Sequence, residues 1–177
     1  SLTSCTVTGL VNGDVVTCTG TASFDTASVG TGKPVTASGL TLTGTAAANY
    51  TLSPTTATTT AAITTISVMP AITVASKPYD ATTTASLTSC TVTGLVNGDV
   101  VTCSGTATFD SATVGTGKTA TASGLTLAGA QAGNYTLSTT TATTTAAITA
   151  LSVTPAITAA SKPYDATTTA SLTSCTV

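Results

Sequence analysis

Two pairs of cysteines offer the clearest covalent chemistry in this chain of 177 residues. Cys5 and Cys18 begin and end the stretch CTVTGLVNGDVVTC, and Cys90 and Cys103 begin and end an identical stretch. The spacing is too wide for a CxxC redox motif, and without histidine the cysteines make a poor zinc site. The pattern predicts the disulfides Cys5–Cys18 and Cys90–Cys103, and therefore an oxidising, extracytoplasmic location. Cys175 lacks a mate, because the equivalent partner position lies past residue 177.

Hairpin geometry suggests how each bridge closes. A disulfide needs Cβ atoms about 3.5 to 4.5 Å apart. A two-residue turn at Asn97 and Gly98 would place the two cysteines on a diagonal, whereas a four-residue loop from Leu95 to Gly98 sets Cys90 opposite Cys103. We therefore predict that each bridge staples a hairpin, and the chain-entropy model gives such a loop about 3 kcal/mol.

The residue types present suggest two further modifications. A lysine amine, an asparagine amide and an assisting carboxyl group can form an isopeptide bond with loss of ammonia, and Lys77, Asn134 and Asp110 are the candidates. The plainer alternative is a solvated Lys77 and an Asn134 that serves the GNY turn. Asn49 and Asn134 also open NYT sequons, which are acceptors for glycosylation.

Charged residues are sparse, at 6% of the chain with a net charge of −2. Nucleic-acid binding relies on clustered lysine and arginine, and general acid–base catalysis needs a poised pair of groups in a cleft. The aspartates instead lie in turn-like contexts such as NGDV, FDSA and PYDA, and no cluster of oxygen ligands suggests calcium. We expect no catalysis, cofactor, metal or nucleic-acid partner. No apolar run approaches the roughly 20 residues of a membrane span.

An internal repeat dominates the sequence. SLTSC begins at Ser1, Ser86 and Ser171, so each start lies 85 further along the numbering than the one before, and this spacing is the repeat period. Aligned without gaps, residues 1–85 and 86–170 differ at only 15 positions. The chain is therefore a tandem array of near-identical units.

The boundaries of the units are predicted from proline. Pro70 and Pro155 follow short apolar runs, and proline is depleted inside sheets. We predict a first repeat at 1–69 that lacks its opening strand, a complete repeat at 70–154, and the opening strands of a third at 155–177. Such a chain is expected to be a segment of a longer protein, or one whose tail fills the gap of the next molecule by strand addition.

Short alternating runs rich in threonine and valine predict β-strands, and turn signals end them at regular intervals. TATTTAAITA at 141–150 is interpreted as a long final strand rather than a helix. This pattern is typical of a β-sandwich. The predicted core of the complete repeat is Leu87, Val92, Val101, Phe109, Leu125, Leu127, Tyr135, Leu137 and Ile148, with Tyr79 also assigned to it.

Several segments resemble a known family. SKPYDATTTASL (76–87), GLVNGDVV (94–101), FDSATVGTGKTATASGLTLAGAQAGNYTLS (109–138) and TATTTAAIT (141–149) are similar to the YDG repeats of large bacterial surface adhesins and filamentous secreted proteins. The resemblance implies an all-β fold of tandem Ig-like antiparallel β-sandwich repeats. Ala81 and Ala166 replace the family's glycine after YD, which puts any positive φ at this position in question.

The resemblance and the repetition together predict a structural function. We expect a module of an extracellular filament or adhesin stalk on the bacterial surface, whose partners are neighbouring repeats. An alternative is a glycan- or matrix-binding adhesin module, which would want exposed aromatic side chains, and a weaker one is a threonine array that binds ice. Electron microscopy would distinguish polymerising short chains from one very long gene product.

Overall fold

The protein is all-β. A computed structural model describes residues 2, 4–11, 13–96 and 98–177. Over these residues the chain forms strands joined by turns, with short 3₁₀ turns at Ala47–Asn49 and Ala132–Asn134. The strands are β1 Thr17–Phe24, β2 Gly30–Thr43, β3 Ala57–Ile63, β4 Ile66–Val74, β5 Lys77–Pro78, β6 Thr84–Ala85, β7 Leu87–Thr93, β8 Thr102–Phe109, β9 Gly115–Ala128, β10 Tyr135–Leu137, β11 Ala142–Thr149, β12 Ala156–Ala159 and β13 Leu172–Thr176.

These strands form four sheets in the described part of the chain. One has the order β1-β2-β3 and is antiparallel throughout. A second has the order β10-β4-β7, in which β10 runs parallel to β4. The third has the order β5-β11-β9-β8-β6, in which the short β5 runs parallel to β11. β12 and β13 form an antiparallel pair.

Equivalent strands recur at the repeat period. β8, β9 and β11 begin at the positions of the second copy that correspond to the first residues of β1, β2 and β3, and the two 3₁₀ turns correspond in the same way. The ladder of β1 and β2 shifts register between Thr19 and Thr21. Gly20 lies at this bulge because a Cβ there would come within 2.7 Å of Leu40 on the facing strand. Gly105 repeats this close approach in the second copy.

Proline is accommodated inside a strand. β4 continues through Pro70, which is buried, so the boundary predicted near this residue falls within the strand. The pairing of β4 with β10 ends at Val68, two residues before the proline that cannot donate a ladder hydrogen bond. The ranges 1–69, 70–154 and 155–177 stay a prediction.

Contacts divide the chain into two compact units. The first comprises Ser1–Pro70, Val92–Ser104 and Thr126–Ser138, and the second comprises Ala71–Thr91, Gly105–Leu125 and Thr139–Val177. In the first unit, Val68, Val101 and Tyr135 form a buried cluster, against which Val92, Leu95, Leu127, Ala132 and Leu137 pack. In the second unit the most buried side chains are those of Ala107, Phe109, Ala120, Ala122, Leu125 and Ile148.

The predicted core is confirmed in its main members. Val101, Phe109, Leu125, Tyr135 and Ile148 are all buried. Tyr79, however, is 41% exposed, so its assignment to the core was wrong. Alanines also contribute to the core, among them the buried Ala107, Ala120 and Ala122. The strand predicted at 141–150 is confirmed by β11. Among the described residues, no helix is long and apolar enough to cross a membrane.

Candidate functional site: charged clasps and disulfides

The ten charged side chains of the chain fall into three recurring arrangements, each present twice. We call them the tyrosine clasp, the hairpin clasp and the loop clasp. In the tyrosine clasp an aspartate accepts a hydrogen bond from a tyrosine. In the other two a lysine forms an ion pair with an aspartate. All four lysines are therefore paired with carboxylates.

The tyrosine clasp of the second copy ties a loop to a strand. The Tyr135 hydroxyl donates to Asp99 Oδ2 at 2.8 Å and accepts from the Val96 N–H at 3.0 Å. Tyr135 begins β10 directly after the 3₁₀ turn, and only 6% of its surface is exposed. The Val96 N–H favours the phenolate, but burial and the carboxylate of Asp99 outweigh it and raise the pKa of Tyr135. The phenol is therefore held as a neutral donor.

The first copy has the same clasp. The Tyr50 hydroxyl donates to Asp14 Oδ2 at 2.8 Å and accepts from the Val11 N–H at 2.9 Å. Sequence analysis assigned the second-copy aspartate to a turn and its tyrosine to the core, and it missed the bond between them. The only signal was an aspartate and a tyrosine 36 positions apart in both copies.

The hairpin clasp closes the turn between β8 and β9. Lys118 Nζ lies 2.9 Å from Asp110 Oδ1 and donates to Ser111 Oγ at 2.7 Å. The side-chain hydrogen bond from Lys118, followed by backbone N–H groups, lowers the pKa of Asp110 despite some desolvation. Lys33 and Asp25 repeat the ion pair at 3.0 Å between β1 and β2.

The loop clasp fixes the loop that follows β5. Lys77 Nζ lies 2.7 Å from Asp80 Oδ1 and also donates to the Thr82 carbonyl at 2.9 Å. Asp80 Oδ1 accepts the Thr82 N–H at 2.9 Å. The hydrogen bond from Lys77, with those from Thr82, lowers the pKa of Asp80 to about 2. Between them, Ala81 has a φ of 62°, in the left-handed region that L-residues seldom adopt.

The tail carries a second loop clasp with the same geometry. Lys162 Nζ lies 2.8 Å from Asp165 Oδ1, whose oxygen accepts the Thr167 N–H at 3.0 Å. Hydrogen bonds from Lys162 and then Thr167 lower the pKa of Asp165. Ala166 has a φ of 54°. Both alanines therefore have a positive φ, and the loop clasp is the local contact around each of them.

The three residues of the hypothesised isopeptide bond each have other partners. The Lys77 ammonium contacts Asp80, the Asp110 carboxylate contacts Lys118, and Asn134 Oδ1 accepts the Val29 N–H at 3.0 Å. The crosslink stays a prediction, for which the loss of ammonia in the intact mass is the measurement.

All four cysteines of the two predicted pairs are disulfide-bonded. Cys5 and Cys18 are joined by a disulfide with a Cα–Cα distance of 5.4 Å. Cys90 and Cys103 are also disulfide-bonded residues, whereas Cys175 is free and exposed. The bridge from Cys5 links a segment outside the sheets to β1.

The predicted hairpin around these bridges was wrong. β7, which carries Cys90, and β8, which carries Cys103, belong to different sheets. The chain leaves β7 at Gly94 and turns again at Gly98, both with positive φ, so it crosses between sheets instead of folding back on one. Asn97, within the predicted four-residue loop, lies outside the described residues.

The two glycosylation candidates differ in access. Asn49 is exposed at the end of the first 3₁₀ turn, while Asn134 is half-buried and engaged with Val29. Glycosylation stays a prediction. In the part of the chain that the structure describes, no group of three or more histidine, cysteine or acidic side chains is placed to hold a metal ion.

The hydrogen bonds and ion pairs of the clasps hold loops in place against the strands. Each carboxylate already accepts from a tyrosine or a lysine.

Comparison with protein-family models matches the YDG domain to residues 1–60 and again to residues 59–146. Neither the curated proteins nor the solved structures contain a significant match to the chain.

Proposed function

We propose that this chain, which belongs to the YDG domain family, is a structural tandem repeat of an extracellular bacterial surface filament or adhesin stalk. The observation that carries the proposal is the recurrence of strands and clasps at one fixed repeat period. A stalk needs modules that repeat in fold and in fastening, because its length then scales with copy number. Disulfides suit an oxidising exterior.

We further propose that each repeat period folds as an Ig-like β-sandwich. Support comes from the buried cluster of the first unit, where Val68 of β4 and Tyr135 of β10 pack with Leu127 of β9. β4 and β10 belong to the sheet of order β10-β4-β7, and β9 belongs to the five-stranded sheet. Cys90 and Cys103 likewise lie on strands of those two sheets, an arrangement that Ig domains use for their inter-sheet disulfide.

Single-molecule force spectroscopy on the chain tests the mechanical part of this proposal. We expect discrete unfolding events, because the sheets and the clasps must break cooperatively. Reducing the Cys5–Cys18 bridge, which encloses a sequence separation of 13, should release about 40 Å of additional chain. Featureless extension with no discrete event would contradict a module that resists force. The matched control is the chain in which Cys5 and Cys18 are both replaced by serine, pulled under oxidising conditions.

Location is tested separately on cells that produce the parent polypeptide. An antibody raised against this chain, followed by immunogold electron microscopy, should label extended material outside the cell envelope. Label confined to the cytoplasm would overturn the extracellular assignment without affecting the fold.

A glycan- or matrix-binding module is the second candidate, and the exposure of Tyr79 favours it. This side chain is 41% exposed, and an exposed tyrosine ring can stack on a sugar. A glycan-array screen of the chain and of Y79A distinguishes the candidates. A structural module binds no glycan specifically, whereas a specific signal that disappears in Y79A would move the function to adhesion.

A further inference from the structure

A connector of two residues, Thr64 and Thr65, joins β3 to β4. The strand before it belongs to the sheet of order β1-β2-β3, and the strand after it pairs with β10 of the second copy. Each residue of a chain has two soft backbone dihedrals. Even so short a connector therefore lets the strands on its two sides turn about each other, unless a second contact holds them together.

A hydrogen bond supplies this second contact. The Val29 N–H donates to Asn134 Oδ1 at 3.0 Å. Val29 comes directly before β2 of the first copy, and Asn134 ends the 3₁₀ turn that leads into β10 of the second copy. Both residues are half-buried. The bond therefore links the first copy to the second across a sequence separation of 105.

The registers of the strands explain why the donor and the acceptor meet. Ile63, the last residue of β3, pairs with Gly30 of β2. Ile66, the first residue of β4, pairs with Tyr135 of β10. The donor and the acceptor come immediately before Gly30 and Tyr135 in the sequence. Continued by one position, the antiparallel ladder puts the donor beside the first residue of the connector, and the parallel ladder puts the acceptor beside the second.

We propose that the hydrogen bond from Val29 to Asn134, which we call the brace, fixes the joint between successive repeats. The connector links β3 to β4 covalently, and the brace links their partner strands on the far sides of the two ladders. Together they close a ring, so a bend at the connector has to break the brace. All the residues of this ring lie in the first compact unit. The asparagine of the GNY turn is thus a contact residue between repeats as well as part of a turn.

Both copies carry the sequence of each half of the brace. The donor is the first residue of VGTGK at 29–33, which recurs at 114–118, and the acceptor is the first residue of NYTL at 134–137, which also occurs at 49–52. Repeats joined at the same period therefore offer the same donor and acceptor to each other. A stalk that spans distance needs joints that resist bending. The use of the brace in a stalk rests on the proposed function, whereas the brace itself is a property of the folded chain.

The brace uses only the side-chain oxygen of Asn134. An alanine at this position removes the acceptor, whereas an aspartate keeps a carboxylate oxygen that can accept the same N–H. An aspartate also has no amide nitrogen to glycosylate or to lose as ammonia. Comparing N134A with N134D therefore separates the brace from the glycosylation and the isopeptide bond predicted for the same residue.

Amide hydrogen exchange of the full chain, followed by NMR, tests the bond directly. N134A should speed the exchange of the Val29 N–H about fivefold, as expected for the loss of one hydrogen bond, whereas N134D should keep this exchange slow. The Ser138 N–H, which donates to the Val68 carbonyl at 2.9 Å, is the internal control. Its exchange should be the same in all variants, because β10 and β4 stay paired when only the brace is lost.

Distances between spin labels measure the stiffness of the joint. Labels at T41C on β2 and T126C on β9 occupy equivalent, exposed positions of the two copies, in a C175S background because Cys175 is free. Thr126 precedes Leu127, which packs with Val68 and Tyr135, so its label reports on the ladder of β4 and β10. The distance distribution should be narrow in the otherwise unchanged protein and in N134D, and broader in N134A.

N49A is the matched control for the distance measurement. Asn49 is the equivalent asparagine of the first copy and is exposed, so N49A should leave the distribution unchanged. Unchanged exchange of the Val29 N–H in N134A, a distribution as broad in N134D as in N134A, or equal broadening in N49A would each overturn the brace. A flexible joint between folded copies would also overturn it, but would leave the proposed structural function standing.

Discussion

Replacing Ala81 with glycine should stabilise this protein, although glycine normally destabilises folded chains. Ala81 has a φ of 62°, and its side chain is exposed. An L-residue in the left-handed region costs about 1–2 kcal/mol. Glycine removes that cost but adds about 0.4–1 kcal/mol of unfolded-state entropy. Since no buried methyl group is lost, we expect A81G to raise the free energy of unfolding by about 0.5–1 kcal/mol.

Urea unfolding followed by tyrosine fluorescence measures this change. A71G is the matched control, because Ala71 is also exposed but lies in β4 outside the positive-φ region. Glycine there should destabilise by about 0.5–1 kcal/mol. A166G should leave the midpoint unchanged, since the tail around Ala166 is exposed throughout. If A81G proved as destabilising as A71G, the loop clasp would not be holding a strained residue, and the reasoning would fail.

Three further outcomes follow from the same contacts. Phe109→Ala should cost about 3–5 kcal/mol. Phe24→Ala should cost roughly 1.7 kcal/mol less than Phe109→Ala, because about 70 Å² more of the Phe24 ring is already in water. Hydrogen exchange of the two sheets, measured on dilute protein, would show this difference in stability. Equal losses for the two variants would contradict it. The pKa of Asp80 lies at about 2, below its ordinary value of 3.8, so its contribution to stability is complete above pH 3.8 and is lost as the pH falls towards 2. Carboxyl ¹³C shifts should place the titration there, and Lys77→Met should move it towards 3.8; an unchanged midpoint would exclude the clasp as the cause. Gly105→Ala should cost about 1–3 kcal/mol in urea unfolding, because the new Cβ would lie 2.7 Å from a leucine on the facing strand and 2.9 Å from a backbone oxygen; a neutral result would mean that the strands separate freely.

Local sequence patterns predicted the strands and most of the large core residues. The threonine-rich run at 141–150 was identified as a strand because three consecutive threonines disfavour a helix, and β11 confirms it. The apolar side chains of Phe109 and Ile148 were assigned to the core from alternation alone, and both are buried. Tyr79 was misassigned because it lies just after β5, outside the strands to which alternation applies.

The hairpin failed for a different reason. A pair of cysteines around a turn is compatible both with a two-stranded ladder and with a crossing between two sheets. The loop-length argument in the sequence analysis assumed the two-stranded ladder. The choice depends on the neighbours that these strands find elsewhere in the chain, which are β4 for β7, and β9 and β6 for β8.

The sequence by itself determined the repeat period, the β-rich composition, the cysteine pairs and the presence of identical segments at 77–85 and 162–170. These properties follow from residue identity and spacing along the chain, so they do not depend on which residues come into contact in the folded structure. Only the tertiary structure decided that aspartates distant from tyrosine and lysine would meet them in clasps, and that Ala81 would keep a glycine's conformation. It also decided that Phe109 is buried while its counterpart Phe24 is 37% exposed. Such outcomes depend on which strand lies beside which, a long-range choice that identical local sequences cannot express.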